Sequence, residues 1–201
     1  AQISIDLEKN IPIGAGLGGG SSDAGAVIRM LAALERVEAP ERLRKVALAL
    51  GADVPFFIRP APARVGGIGE RIAPLTGLAQ IPIVIVAPPF EVRTAAVFRA
   101  LPPSAWSGAA PPEHLAAIMR GDITDAVTVN DLAGAVNRAH REIALLKDLL
   151  KDLGARAAQM TGSGGAVFGI FASSDEADRA AREAEHRARA ARVFATTSIN
   201  S

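Results

Sequence analysis

The sequence predicts an α+β protein in two parts. Three observations carry that prediction: a glycine-dense loop leading straight into helical spacing, a β-branched run beginning at Ile81, and an alternation of strand and helix patterns from there onward. At 201 residues and 49% hydrophobic composition, the chain is long enough for one large or two small domains with a real core. Its 22 basic and 21 acidic residues give a formal net charge of +1 and are spread along the chain. Nothing in that balance favours nucleic acid or an acidic membrane face as a partner, so any phosphate site has to be local. The absence of Cys excludes disulfides, thiolate metal sites and a Cys nucleophile, and fits a reducing, cytoplasmic setting. No apolar run approaches the roughly 20 residues that span a bilayer, and Asp6, Glu8 and Lys9 are unlike a signal peptide.

Ile3, Ile5 and Leu7 alternate with polar residues and predict an opening strand. A domain rarely starts on one, and the first residue is not Met, which fits either a trimmed terminus or a missing upstream segment. The stretch Ile11-Pro12-Ile13 leads into Gly14-Ala15-Gly16-Leu17-Gly18-Gly19-Gly20-Ser21-Ser22-Asp23, a glycine loop closed by residues that favour helix caps. Val27, Ile28, Leu31 and Leu34 then recur at helical spacing to about Glu35, and a second helix runs from Pro40 to a stop at Gly51. Residues 51–58 mix a tight entry, Asp53 and an apolar run, and with the turn at residues 66–70 they predict a short strand and return. A domain boundary near Leu78 divides residues 1–77 from residues 78–201. Beyond it the pattern predicts a buried strand over 81–87, a helix over 94–101, a Pro/Gly/Ala/Ser-rich loop over 102–112, and one long amphipathic helix over 131–153. Strands at 155–160 and 166–171, joined through Thr161-Gly162-Ser163-Gly164-Gly165, precede a polar Ala/Arg/Glu-rich helix over 175–190 and a last strand over 193–197. Strand, helix, strand, strand, helix, strand is the ferredoxin-like split βαβ order.

The chemistry concentrates in the first glycine loop. Glycines at 14, 16, 18, 19 and 20 let the backbone approach a ligand closely, and the helix that follows aims free N–H groups and a positive dipole end at the same place, which suits a phosphate. Gly14, Gly16 and Gly19 satisfy G-x-G-x-x-G, but a dinucleotide-binding unit needs a second parallel strand after its first helix, and here Pro40 opens another helix. No Lys-Ser or Lys-Thr follows the glycines, which removes the P-loop. Neither H-R-D nor D-F-G occurs, which removes the protein kinases. Asp53, between a Gly-Ala turn and an apolar run, is the candidate to take a proton from an alcohol during phosphoryl transfer; a turn or capping role is its plain alternative. His114, His140 and His186 lack metal-ligand spacing.

Residues 9–24, Lys-Asn-Ile-Pro-Ile-Gly-Ala-Gly-Leu-Gly-Gly-Gly-Ser-Ser-Asp-Ala, resemble the phosphate loop of the GHMP kinase superfamily. The Gly-Leu-Gly-Gly-Gly-Ser-Ser-Asp-Ala form, together with Gly51-Ala52-Asp53-Val54-Pro55-Phe56 and Thr161-Gly162-Ser163-Gly164-Gly165-Ala166-Val167-Phe168, is similar to one branch of it. That branch phosphorylates 4-diphosphocytidyl-2-C-methyl-D-erythritol in non-mevalonate isoprenoid precursor synthesis. The resemblance implies a partial ribosomal-S5-like first domain and a ferredoxin-like second one, with ATP between them. It assigns catalysis to Asp53 and the ATP phosphates to Gly14, Gly16, Leu17, Gly18, Gly19, Gly20, Ser21 and Ser22. Lys9 would lie near the base or ribose. It also implies Mg2+ bridging phosphate oxygens, with Ser22 as a weak ligand or, more simply, a helix cap. The alcohol substrate would meet Thr94, Phe98, Gly162, Ser163 and Gly164, with Phe98 stacking on cytosine or serving the core. Another small-molecule kinase of the superfamily and an inactive nucleotide-binding remnant are the alternatives. Members of this branch also carry an upstream Ala-Lys-Ile-Asn-Leu strand whose lysine partners the catalytic Asp, and a His/Tyr region that grips the cytidine. The sequence contains neither. Loss of such electrostatic help costs on the order of a hundredfold in rate, so weak or no turnover is expected of these 201 residues alone. The expected state is a monomer or weak dimer, without nucleic acid or membrane.

Overall fold

The structure, a computed structural model, describes residues 3–199. The first part is mainly helical: α1 (Gly19–Leu34), α2 (Pro40–Leu50) and the short α3 (Val54–Ile58), followed by a hairpin of β1 (Ala63–Gly66) and β2 (Arg71–Pro74). Ile28, Ala47 and Val54 form a small core where the three helices meet. A Cβ at Gly25 would stand 2.6 Å from Phe57 Cβ, so the missing side chain lets α3 lie directly on α1. Arg29 Nη1, donating to Phe57 O, fastens the same contact.

Two sequence expectations change here. Residues 3–9 form no strand, because no described segment pairs with them; Ile3 and Ile5 instead border Val27, Met30, Leu31 and Leu34 of α1 around a cavity. The apolar run after Asp53 is a helix rather than a strand, its start favoured by Pro55 near the first helical position, and the strand and return fall at β1 and β2.

The second part is a four-stranded antiparallel sheet of β3 (Pro82–Ala87), β4 (Ala157–Met160), β5 (Val167–Ile170) and β6 (Arg192–Thr197), in the order β4-β5-β3-β6. That order is the expected ferredoxin-like arrangement. Val84 and Val86 alternate with Ile85 and Ala87 across the pleat, so β3 serves two cores. On one face Val84, Val86, Met160 and Val167 pack against α4 (Thr94–Ala100), α6 (Ala133–Ala139), α7 (Arg141–Asp152) and α8 (Ser174–Arg187). The polar-looking α8 turns a stripe of Ala177, Ala180, Ala181 and Ala184 onto the sheet.

On the other face Ile123, Ala157 and Ile170 meet Ile118 of α5 (Pro112–Arg120), a helix that the sequence reading does not assign. The single amphipathic helix expected over 131–153 is two, broken at His140 (φ −134°, ψ 81°), whose ring stacks on Phe90 at 4.6 Å. A tertiary contact outweighs helical propensity at this point.

Candidate functional site

The helix after the glycine loop begins earlier than the serines suggest. Gly18 adopts the left-handed conformation (φ 68°, ψ 15°) as N-cap, and α1 starts at Gly19, so Ser21 and Ser22 lie inside its first turn. Ser22 is therefore not a cap; its Oγ donates to Gly19 O at 2.8 Å. No side chain caps α1 and no acidic residue lies in its first turn, which leaves the leading N–H groups and the positive end of a 16-residue helix open to an anion. The nearest carboxylate on the helix, Asp23, is paired with Lys9.

The loop is held in place from beneath. Ala166 N and Thr161 Oγ1 each donate to Ala15 O at 2.9 Å, and Val92 N donates to Gly14 O at 3.2 Å. Gly16 (φ +71°) and Gly165 (φ +103°) make the contact possible. A Cβ on Gly16 would lie 2.4 Å from Thr161 O, and one on Gly165 would lie 2.6 Å from Ala15 Cα. The two glycine turns are thus pressed backbone to backbone, with Leu17, Ile85 and Phe194 packed around Ala15, Ala87 and Ala166.

One cavity of about 480 Å³ collects most of the sequence candidates: Lys9, residues 14–21, Asp53, Thr94, Gly162 and Ser163. Asp53 reaches it because α3 docks on α1, with Phe57 beneath Gly18. Its carboxylate is exposed and makes no capping hydrogen bond, so it is available to a ligand. Thr94, at the start of α4, and Ser163 share a hydroxyl–hydroxyl hydrogen bond of 2.7 Å across the far wall. Three candidates lie outside the lining. Ser22 points to its own helix, Gly164 sits against Met160 and Val136, and Phe98, 48% exposed, tilts against Trp106 at 6.1 Å between ring centroids. Among the described residues no group of three His, Cys, Asp or Glu side chains could hold a metal by itself.

The sequence reading missed Asn130. Its Nδ2 donates to Met160 O and Gly162 O, which fixes the second glycine turn from outside the cavity. No spacing marks a single Asn in a loop; only the fold joins residue 130 to residue 162.

Comparison with known proteins covers both parts of the chain. The GHMP kinases N terminal domain matches residues 1–60, which include the glycine loop and Asp53, and the GHMP kinases C terminal domain matches residues 115–190, which include the second glycine turn. The 4-diphosphocytidyl-2-C-methyl-D-erythritol kinase of Thermus thermophilus is 42% identical over 89% of this chain and 64% of its own length. That of Syntrophotalea carbinolica is 38% identical over 98% of this chain and 70% of its own. A crystal structure of 4-(cytidine 5'-diphospho)-2C-methyl-D-erythritol kinase, 40% identical, superposes with a TM-score of 0.81 over 94% of this chain and 68% of that one. The chain thus spans about two thirds of the length of the relatives it matches. From the glycine loop to the second glycine turn, it belongs to the GHMP kinase family, in the branch of the 4-diphosphocytidyl-2-C-methyl-D-erythritol kinases.

Proposed function

We propose that this chain carries the phosphoryl-transfer cleft of an ATP-dependent kinase whose acceptor is the 2-hydroxyl of 4-diphosphocytidyl-2-C-methyl-D-erythritol. The observation that carries the reading is the shared cavity: an uncapped helix N-terminus and the Asp53 carboxylate face one space. The N–H groups at the start of α1 would take the β- and γ-phosphates, and Asp53 would hold the acceptor hydroxyl and receive its proton as the new P–O bond forms. ADP leaves with the electron pair of the broken bond. Lys9 stands at the rim with Asp23, where it offsets charge near the nucleotide. The acceptor would enter along Thr94, Gly162 and Ser163, with Phe98 one helical turn beyond Thr94 on α4.

A magnesium ion suits this donor set. Without a protein-only cluster among the described residues, it would be carried by phosphate oxygens and water, with Asp53 and Ser21 as the oxygen-bearing side chains on the helical side of the cavity, opposite Thr94 and Ser163. It supplies charge neutralisation on the transferred group. Two domains meeting near residue 78, a cytoplasmic location and a monomer or weak dimer complete the reading. Among the described residues no helix is long and apolar enough to cross a membrane.

The test is transfer of radiolabelled phosphate from ATP to the cytidyl alcohol. Measured in a longer chain that also carries the upstream strand expected of the branch, Asp53→Asn should lower the rate about 10²- to 10⁴-fold while a non-hydrolysable ATP analogue still binds. Transfer at the wild-type rate by that variant overturns the proposal.

A further inference from the structure

β4 is an edge of the four-stranded sheet, so one row of its backbone donors and acceptors meets no strand. The loop between α5 and α6, residues 121–132, runs along that edge and is tied to it by side chains from both sides. Asp125 Oδ1 accepts from Ala158 N at 2.9 Å, and Gln159 Nε2 donates to Thr128 O at 2.9 Å. The strap ends at Asn130. Its Nδ2 donates to Met160 O and Gly162 O, both at 2.9 Å, and its Oδ1 accepts from Leu132 N at 3.0 Å. Both hydrogens of the carboxamide are therefore committed, one to each side of Thr161.

The consequence falls on the cleft. A trans peptide holds its C=O and N–H in one plane, pointing in opposite directions, so with Gly162 O bound to Asn130 the Ser163 N–H is turned away from Asn130, on a residue that lines the cavity. Were Gly162 O released, that peptide could rotate about ψ of Gly162 and φ of Ser163 and exchange a donor for an acceptor at the wall. For an anionic ligand that exchange replaces an attractive contact by a repulsive one.

We infer that Asn130 is a positioning residue: it fixes the Gly162–Ser163 peptide so that this wall offers a hydrogen-bond donor to the diphosphate-bearing alcohol. The identity of that ligand rests on the function proposed above; the restraint on the turn does not.

The test uses two variants and two readouts. Asn130→Asp keeps the acceptor for Leu132 N but removes both donors and sets a negative charge against two carbonyls, and Asn130→Ala removes the donors without adding charge. Both should speed amide hydrogen exchange across residues 161–165 while leaving residues 167–170 of β5 unchanged. Both should weaken binding of 4-diphosphocytidyl-2-C-methyl-D-erythritol by about tenfold or more. Binding of the non-hydrolysable ATP analogue should weaken less than that of the cytidyl compound: Thr161 helps to pin Ala15, but Ala15 O keeps the bond from Ala166 N and the leading N–H groups of α1 are unmoved. Asp125→Asn, which loosens the same strap at its far end, should lower the melting temperature without changing the ratio of the two affinities. Unchanged exchange at residues 161–165, or equal losses for both ligands in both Asn130 variants, overturns the inference. A wild-type protein extended by the upstream cytidine-gripping region that binds the ATP analogue but not the cytidyl compound defeats the substrate reading instead, and exchange at residues 161–165 then decides the role of Asn130.

Discussion

Phe171, Ile143 and Leu150 are buried between the four-stranded sheet and its helices, whereas Met30, Leu34 and Leu50 on α1 and α2 are 58%, 63% and 63% exposed. Among the described residues, all seven of the largest fully buried side chains lie beyond residue 80. The helical group before it shares a core of only Ile28, Ala47 and Val54. The cleft sits on the seam between these unequal regions, and its parts are divided between them. Gly14, Asp53 and the start of α1 come from the lightly packed side, Thr94, Gly162 and Ser163 from the dense one. The hydrogen bonds that pin Ala15 come from Thr161 and Ala166, so the phosphate loop takes its position from the sheet rather than from its own helices. Precision in the site is borrowed from the better-packed half.

The contrast breaks most directly by cutting each region. Phe171→Ala should cost about 3–5 kcal/mol in denaturant unfolding, because a buried ring leaves a cavity that the sheet cannot collapse. Leu34→Ala should cost less than about 1 kcal/mol. A loss at Leu34 equal to that at Phe171 would mean that the outer face of α1 is covered in solution, and the comparison would fail.

The seam itself is the next target. Gly165→Ala would set a Cβ 2.6 Å from Ala15 Cα and 2.8 Å from Gly14 O, at φ +103°. Strain and overlap together should cost about 2–4 kcal/mol in unfolding measurements. Since the clash falls on the phosphate loop, binding of the ATP analogue should weaken as well. Gly154, also at positive φ (+96°), has nothing within 4 Å of its Cβ position; Ala there should show backbone strain alone and leave ATP-analogue binding intact. If Gly165→Ala and Gly154→Ala behave alike, the two turns do not support one another.

How much of this was legible follows the same division. β3, β5, β6 and α8 follow from period and turn residues, because their apolar positions pack into the cores on the two faces of the sheet. The glycine loop and Asp53 were legible because close approach and charge restrict residue type locally. The opening strand was not, because strand identity depends on a partner, and among the described residues none pairs with residues 3–9. The start of α1 was misjudged by the serines: a left-handed glycine at 18 caps the helix without a side chain, a choice that propensity alone does not show. α5 was hidden behind Pro111 and Pro112, which read as loop but begin a helix at its first position. Asn130, Asp125 and the strap they anchor were illegible because their partners lie about thirty residues away, on β4 and the turn after it.

The smallest expected effect belongs to that strap. Partial burial works against the charged form of Asp125. The hydrogen bond from Lys151, the Ala158 N–H and attraction to Lys151 and Lys147 outweigh it, so the carboxyl titrates below the ordinary aspartate value of 3.8. A depressed folded-state value means that the charged form favours the folded protein. Its contribution is complete above the unfolded-state value and is lost as pH falls through the folded-state one. Because both partners are a third or more exposed, solvent screening limits it to under about 1 kcal/mol. Asp125→Asn should therefore lower stability slightly at neutral pH and flatten the acid limb of the stability curve below about pH 4. High salt should shrink the difference between wild type and variant, because it screens the Lys151 pair but not the Ala158 hydrogen bond. A difference that persists undiminished in acid would show that Asp125 holds the edge of β4 by shape and hydrogen bonding rather than by charge.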